Sequence, residues 1–184
     1  MIPQAHGEKD VLANSVLHQL AQIRTTVHGL TDEQAHSVPS ASSLNLTGLV
    51  RHCALVAAGW SDMAARRINE PDVPEDIGPD LSMEDCMTHP ATVDETLAFF
   101  DRCVSYASAP MESITDLGAP VPVPDAHWFP PELKFWEVRW ALTHVIGEIA
   151  RHAGHADVIR ESIDGTSSYE LNDLAEGLDP HREW

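Results

Sequence analysis

The sequence predicts an all-α protein, an antiparallel four-helix bundle with long connecting loops. Three observations carry this expectation. Four segments repeat apolar residues at alternating steps of four and three, the stripe of a helix that buries one face. No segment shows the two-residue alternation of a half-buried strand. The mixed step on all four is the pattern of left-handed bundle packing around one core. A chain of 184 residues is long enough to bury such a core as a single domain over 1–184, without a disulfide framework.

The first helix is expected from about Glu8 to His28, on the stripe Val16, Leu20, Ile23, Val27 and Leu30, with Gly29 as its stop. Thr31-Asp32-Glu33-Gln34 reads as a capping box opening a short extra turn. Pro39 and the serines of 40–43 make a loop. The second helix is expected from Thr47, as N-cap, to about Asn69, on Leu49, Cys53, Val56, Trp60 and Met63. An acidic surface loop over 70–90 follows, because Pro71, Pro74 and Pro79 break any helix there. Within it Ser82 can open a short helix. The third helix starts at the capping box Thr92-Val93-Asp94-Glu95 and carries Val93, Leu97, Phe100, Val104, Ala107, Met111 and Ile114. Pro110 should kink or end it. Residues 118–125 read as an extended, polyproline-like connector. The fourth helix is expected from Pro131-Glu132 to about Ile163, with Gly165 as its C-terminal stop. The acidic tail over 165–184 has room for a short helix.

Composition narrows the function. Eleven Lys and Arg stand against 29 Asp and Glu, a formal charge of −18. Such a field repels phosphate, so neither nucleic acid nor an anionic membrane is an expected partner. Three cysteines, Cys53, Cys86 and Cys103, are too few and too odd for a disulfide scaffold and fit a reducing cytoplasm. The first residues lack the apolar core of a signal peptide, and no apolar run is long enough to span a bilayer. A cytoplasmic location is therefore expected. No Gly-rich phosphate loop, Gly-x-Ser-x-Gly elbow or Cys-x-x-Cys pair is present.

The chemistry concentrates on the fourth helix. At about 100° per residue, Val138, Leu142, Val145, Ile149, Ala156 and Ile163 define its apolar face. His152 lies within that face and Glu148 at its edge, one turn earlier. The pair therefore projects side by side toward the core. A lone buried carboxylate is costly unless paired or metal-bound. On the second helix, His52 sits at the margin of the apolar face. These three residues can hold a divalent ion with a position left open. They can equally be a Glu–His pair beside a satisfied core histidine, and the spacing leaves both open. His155 and His144 lie one turn from His152 and Glu148 and are read as non-ligands. Trp60, Trp136 and Trp140 are read as core more than as pocket walls. The remaining histidines have no partner in sequence.

Leu49-Val50-Arg51-His52 followed by Trp60, and Glu148-Ile149-Ala150-Arg151-His152-Ala153-Gly154-His155-Ala156-Asp157, resemble the DinB-like superfamily. The likeness is to its mycothiol-dependent branch of maleylpyruvate isomerases and thiol S-transferases. Phe129-Pro130-Pro131 and Trp136-Glu137-Val138-Arg139-Trp140 extend it, and it spans nearly the whole chain. Many members use three histidines, and the mycothiol branch uses His, Glu and His. The resemblance thus implies His52, Glu148 and His152 as ligands of a divalent metal, most often zinc, with Glu148 also the residue that tunes catalysis. It implies mycothiol as cosubstrate and a small electrophile as substrate, with a metal-held thiolate as nucleophile, in S-conjugation or isomerisation. A homodimer is left open. The alternative is a non-catalytic metal-binding or stress-response protein of the same fold.

Overall fold

The computed structural model describes residues 5–78, 81–127 and 129–181. Among these residues the chain forms seven helices and one two-stranded sheet. The helices are α1 (Glu8–Thr25), α2 (Asp32–His36), α3 (Leu46–Arg66), α4 (Met83–Thr88), α5 (Val93–Ser113), α6 (Val138–Asp164) and α7 (Ser168–Ala175). The strands are β1 (Pro120–Pro122) and β2 (Phe135–Glu137).

The four long helices α1, α3, α5 and α6 form the bundle, and their apolar stripes meet in one core. Leu20, Ile23, Leu49, Phe100, Met111, Leu142 and Ile149 are fully buried there. Pairings along the helices fix their directions. Arg139 at the start of α6 meets Glu8 at the start of α1, and Arg160 near its end meets Thr26. Arg51 stacks on Phe99 and Tyr106 donates to Asp62, so α3 and α5 also run together. Between these two pairs the sense is opposite: Arg24 meets Asp101, and Lys9 meets Glu112. This arrangement explains the long connectors. Parallel neighbours cannot be joined by a short hairpin, so the chain between α3 and α5 must travel back the length of the bundle.

The expected capping boxes at Thr31 and Thr92 are present, and a third at Ser167 opens α7. Gly165 ends α6 in the left-handed conformation at φ 80°. Other expectations are corrected. The N-cap of α3 is Asn45, which accepts from the Gly48 amide, and Thr47 instead bonds to Asn45 and His36. Asn45 also donates to the Met87 carbonyl, tying α4 to the first turn of α3. Gly48 is needed there, since a Cβ would lie 2.6 Å from the Met87 side chain. α1 stops at Thr25, and α3 stops at Arg66 with Arg67 left-handed at φ 58°.

α5 contains Pro110 in its last turn and ends at Ser113. So near the end, a proline disturbs little helix beyond it. The connector after α5 is not polyproline-like throughout. Val121 pairs with Trp136 in an antiparallel ladder. That ladder holds residues 135–137 extended, and α6 therefore begins at Val138 rather than near Pro131. Three-residue strands with prolines at both ends of one leave no alternation to see in the sequence.

Arg160 locks the far end of the bundle. It is buried and donates to the carbonyls of Thr26 and His28 at 2.8 Å, satisfying the end of α1. Asp164 pairs with it. Burial pushes the Asp164 carboxyl up, but its bonds from Arg160 and Thr166 outweigh this and hold it below its ordinary value. Arg160→Ala should lower stability by about 2–3 kcal/mol in urea unfolding, with the slope unchanged. Asp164 is more acidic folded than unfolded, so its contribution is present above the unfolded value and vanishes as pH falls through the folded one. Asp164→Asn should therefore be less stable than wild type near neutral pH, and the two should converge as pH falls through the lowered folded-state value.

Candidate metal centre

The site forms where α3 and α6 cross the core in opposite directions. On α3, His52, Val56 and Trp60 follow one another at four-residue steps. From β2 into α6 the line is Trp136, Trp140, His144, Glu148 and His152, again at four-residue steps. Residues so spaced stack along one side of a helix. The two lines face each other, and their inner ends converge.

His152 Nε2 lies 3.1 Å from Glu148 Oε1, and His52 Nε2 lies 3.7 Å from the same oxygen. The two imidazole rings stand edge to face with centroids 4.8 Å apart. One donor atom from each residue falls within 4.8 Å of the others. Metal–ligand bonds of about 2.1 Å at tetrahedral angles put donor atoms about 3.4 Å apart. The two separations from Glu148 bracket that length, so His52, Glu148 and His152 fit one divalent ion. The side chains of His52 and His152 are 14% and 10% exposed, against 31% for Glu148. The cluster is thus closed on its histidine side and reachable from solvent past the carboxylate.

Burial pushes the Glu148 carboxyl up. Its hydrogen bond with His152 and the neighbouring imidazoles of His152, His144 and His52 more than reverse this, and the group sits below its ordinary value. An ionised carboxylate facing two imidazole nitrogens is a hard–borderline donor set of the kind that binds zinc.

The other predicted residues separate cleanly. His155 is exposed, its ring 6.0 Å from that of His152, and it takes no place in the cluster. His144 stacks on Trp140, 4° from parallel, with Trp60 4.5 Å away. Arg51 turns away and lies 4.2 Å over the Phe99 ring. All three cysteines are buried. Burial pushes the Cys53 thiol far up and that of Cys103 up to about 12. In the acidic loop, Asp72 pairs with Arg66, and no described carboxylate of that loop joins the cluster.

The aromatic residues correct the core assignment. Trp136 is buried, but Trp140 is 42% exposed, stacked on Trp136 at 4.5 Å. Trp60 touches Trp136, Trp140 and His144. Beyond Trp60 opens a cavity of about 370 Å³, lined by Val56, Gly59, Met63, Val73, Ile77 and Phe129 among others. The signal for this wall was in the sequence: the tryptophans stand at four-residue steps from Glu148. What could not be seen was that the loop residues 69–78 and Pro124 and Phe129 close over it.

A family model described as mycothiol-S-transferase matches residues 11–165, which contain the whole cluster. Among solved structures, a conserved protein from Enterococcus faecalis shares the fold with a TM-score of 0.64 at 16% identity, over 88% of this chain and 99% of that one. No curated protein matches.

Chelator-treated protein should take up one cobalt(II) per chain, with the visible absorption of a low-symmetry site. His52→Ala and His152→Ala should each lose it. Replacing the carboxylates of 70–85 by their amides should leave the uptake unchanged. Because the ion binds only the folded chain, zinc should also raise the melting temperature of wild type and not of His152→Ala.

Proposed function

Since the chain belongs to the mycothiol-S-transferase family, within the DinB-like superfamily, we propose that it joins the sulfur of mycothiol to a small electrophile, with His52, Glu148 and His152 holding a zinc ion. The observation that carries this is the convergence of two imidazole nitrogens on one Glu148 oxygen at 3.1 and 3.7 Å. An ion held there would supply Lewis-acid chemistry, lowering the pKa of an incoming thiol toward the neutral range.

The protein's own residues prepare the site in three ways. Two neutral imidazoles and one carboxylate cancel only part of a divalent charge, so the site stays electropositive toward sulfur within a strongly acidic protein. Glu148 is kept ionised by the imidazoles around it and is the ligand on the open side. The three cysteines are withdrawn into the core, and burial pushes the thiols of Cys53 and Cys103 well above their ordinary values. No protein thiolate then competes with the small-molecule thiol. Among the described residues no helix is long and apolar enough to cross a membrane, consistent with water-borne substrates.

Turnover should require both the ion and a thiol. Activity should be measured with mycothiol, glutathione, cysteine and bacillithiol on holo and chelated protein, mycothiol being the expected best. Glu148→Gln should lower kcat/KM by about 100-fold, since an amide is a weaker, uncharged ligand. Changing Cys53, Cys86 and Cys103 together to Ser should spare kcat, with a cost confined to stability. A cobalt-loaded sample should change its visible spectrum when the thiol is added. Bound metal with no spectral response to any thiol would replace this reading with that of a non-catalytic metal-binding protein.

A further inference from the structure

The cavity beyond Trp60 restricts the electrophile, an inference that rests on the transferase reading above. Val56 and Trp60 line it, and they continue the His52 stripe outward along α3 at one and two turns. Its volume of about 370 Å³ falls in the range of small-molecule sites. The walls are of two kinds. Leu55, Met63, Val73 and Ile77 line it with aliphatic and thioether groups, and Trp60 and Phe129 line it with aromatic rings. Trp60 is held in place from behind, 5.4 Å from Trp136 and 4.5 Å from His144. Phe129 meets Trp136 edge to face at 5.3 Å. The slot is thus bounded by rings that are themselves packed, and a flat ligand can stack there without first ordering its walls.

Charge selects further. Among the described residues no Lys or Arg lines the cavity, and Glu70 does. Arg66 pairs with Asp62 and Asp72, Arg139 with Glu8 and Glu137, and Arg51 lies over Phe99. A carboxylate entering this cavity would lose its hydration beside Glu70, with no Lys or Arg among the described lining residues to meet it. An apolar lining disfavours a buried charge of either sign.

We propose that the electrophile is a neutral, planar, conjugated or aromatic molecule bound in the Trp60–Phe129 cavity, and that anionic electrophiles such as dicarboxylates are rejected. A halogenated nitroarene illustrates the step. The thiol gives its proton to solvent, its sulfur bonds to the ring carbon, the carbon–halogen bond breaks, and halide leaves with the bonding pair.

Binding is tested apart from turnover, by equilibrium dialysis of the metal-loaded full chain with 1,3-dinitrobenzene. This ring has no leaving group. Saturable binding is expected, with 3,5-dinitrobenzoate at least about tenfold weaker. Trp60→Ala should weaken binding at least about tenfold. Gly59→Leu offers a second route, because a Cβ at Gly59 meets only Pro71, at 3.6 Å, and a longer side chain extends into the cavity. It should block binding to a similar degree while metal content and helical circular dichroism stay at wild-type values. Absence of saturable binding, equal affinity for the benzoate, or wild-type affinity in both variants would each overturn the proposal. The cobalt spectrum with thiol separates the two readings. Ring binding without a thiol response leaves the cavity assignment standing and removes the transferase. A thiol response without ring binding removes the cavity assignment alone.

Discussion

The structure depends on how α6 is gripped. Its apolar stripe, from Val138 through Leu142, Val145, Ile149 and Ala156, is buried between α1 on one side and α3 on the other. A helix held on two sides cannot rotate without exposing that stripe, which costs about 25 cal/mol for each Å² of apolar area returned to water. Packing fixes the angular setting, and the setting aims Glu148 and His152 at the seam with α3. The opposite sense of α3 then brings His52 to that point and Trp60 to the level of His144. The polar cluster is a consequence of an apolar constraint.

The same geometry accounts for the connectors. Because α3 and α5 run in parallel, the chain between them returns along the bundle as a long acidic segment, with α4 pinned to the first turn of α3 through Asn45 and Met87. Between α5 and α6 the chain makes a small hairpin before entering the last helix. Both segments pass the outer end of the Trp60 stripe, and together they roof the cavity. Loops built to satisfy topology have become the walls of a cavity, as is common at the ends of helical scaffolds.

Charge and burial divide the labour of the titratable groups. Cysteines sit in the core, where desolvation disfavours their ionised forms. The one carboxylate on the seam is kept ionised by imidazoles, against the pull of its own partial burial. Elsewhere acids form ion pairs such as Arg24–Asp101 and Arg160–Asp164. A strongly acidic chain thus places one carboxylate and two imidazoles together on the α3–α6 seam, a group able to hold a cation.

The sequence by itself determined what is local. Helix stripes, capping boxes at Thr31 and Thr92, the stop at Gly165 and the Glu148–His152 pair are set by residues within one or two turns of each other, and periodicity reads them directly. Its motifs also placed the chain in its superfamily. It was silent where the deciding interaction lies far along the chain. The β1–β2 ladder joins strands 15 residues apart at Val121 and Trp136, too short to alternate, and it moved the start of α6 to Val138. His155, one turn beyond His152, faces solvent. Trp140 is exposed and Trp60 bounds a cavity because of loops whose path no stripe encodes. Which of several inward polar residues share one seam is decided by interhelical direction and rotation, and those are properties of the whole packed core rather than of any helix alone.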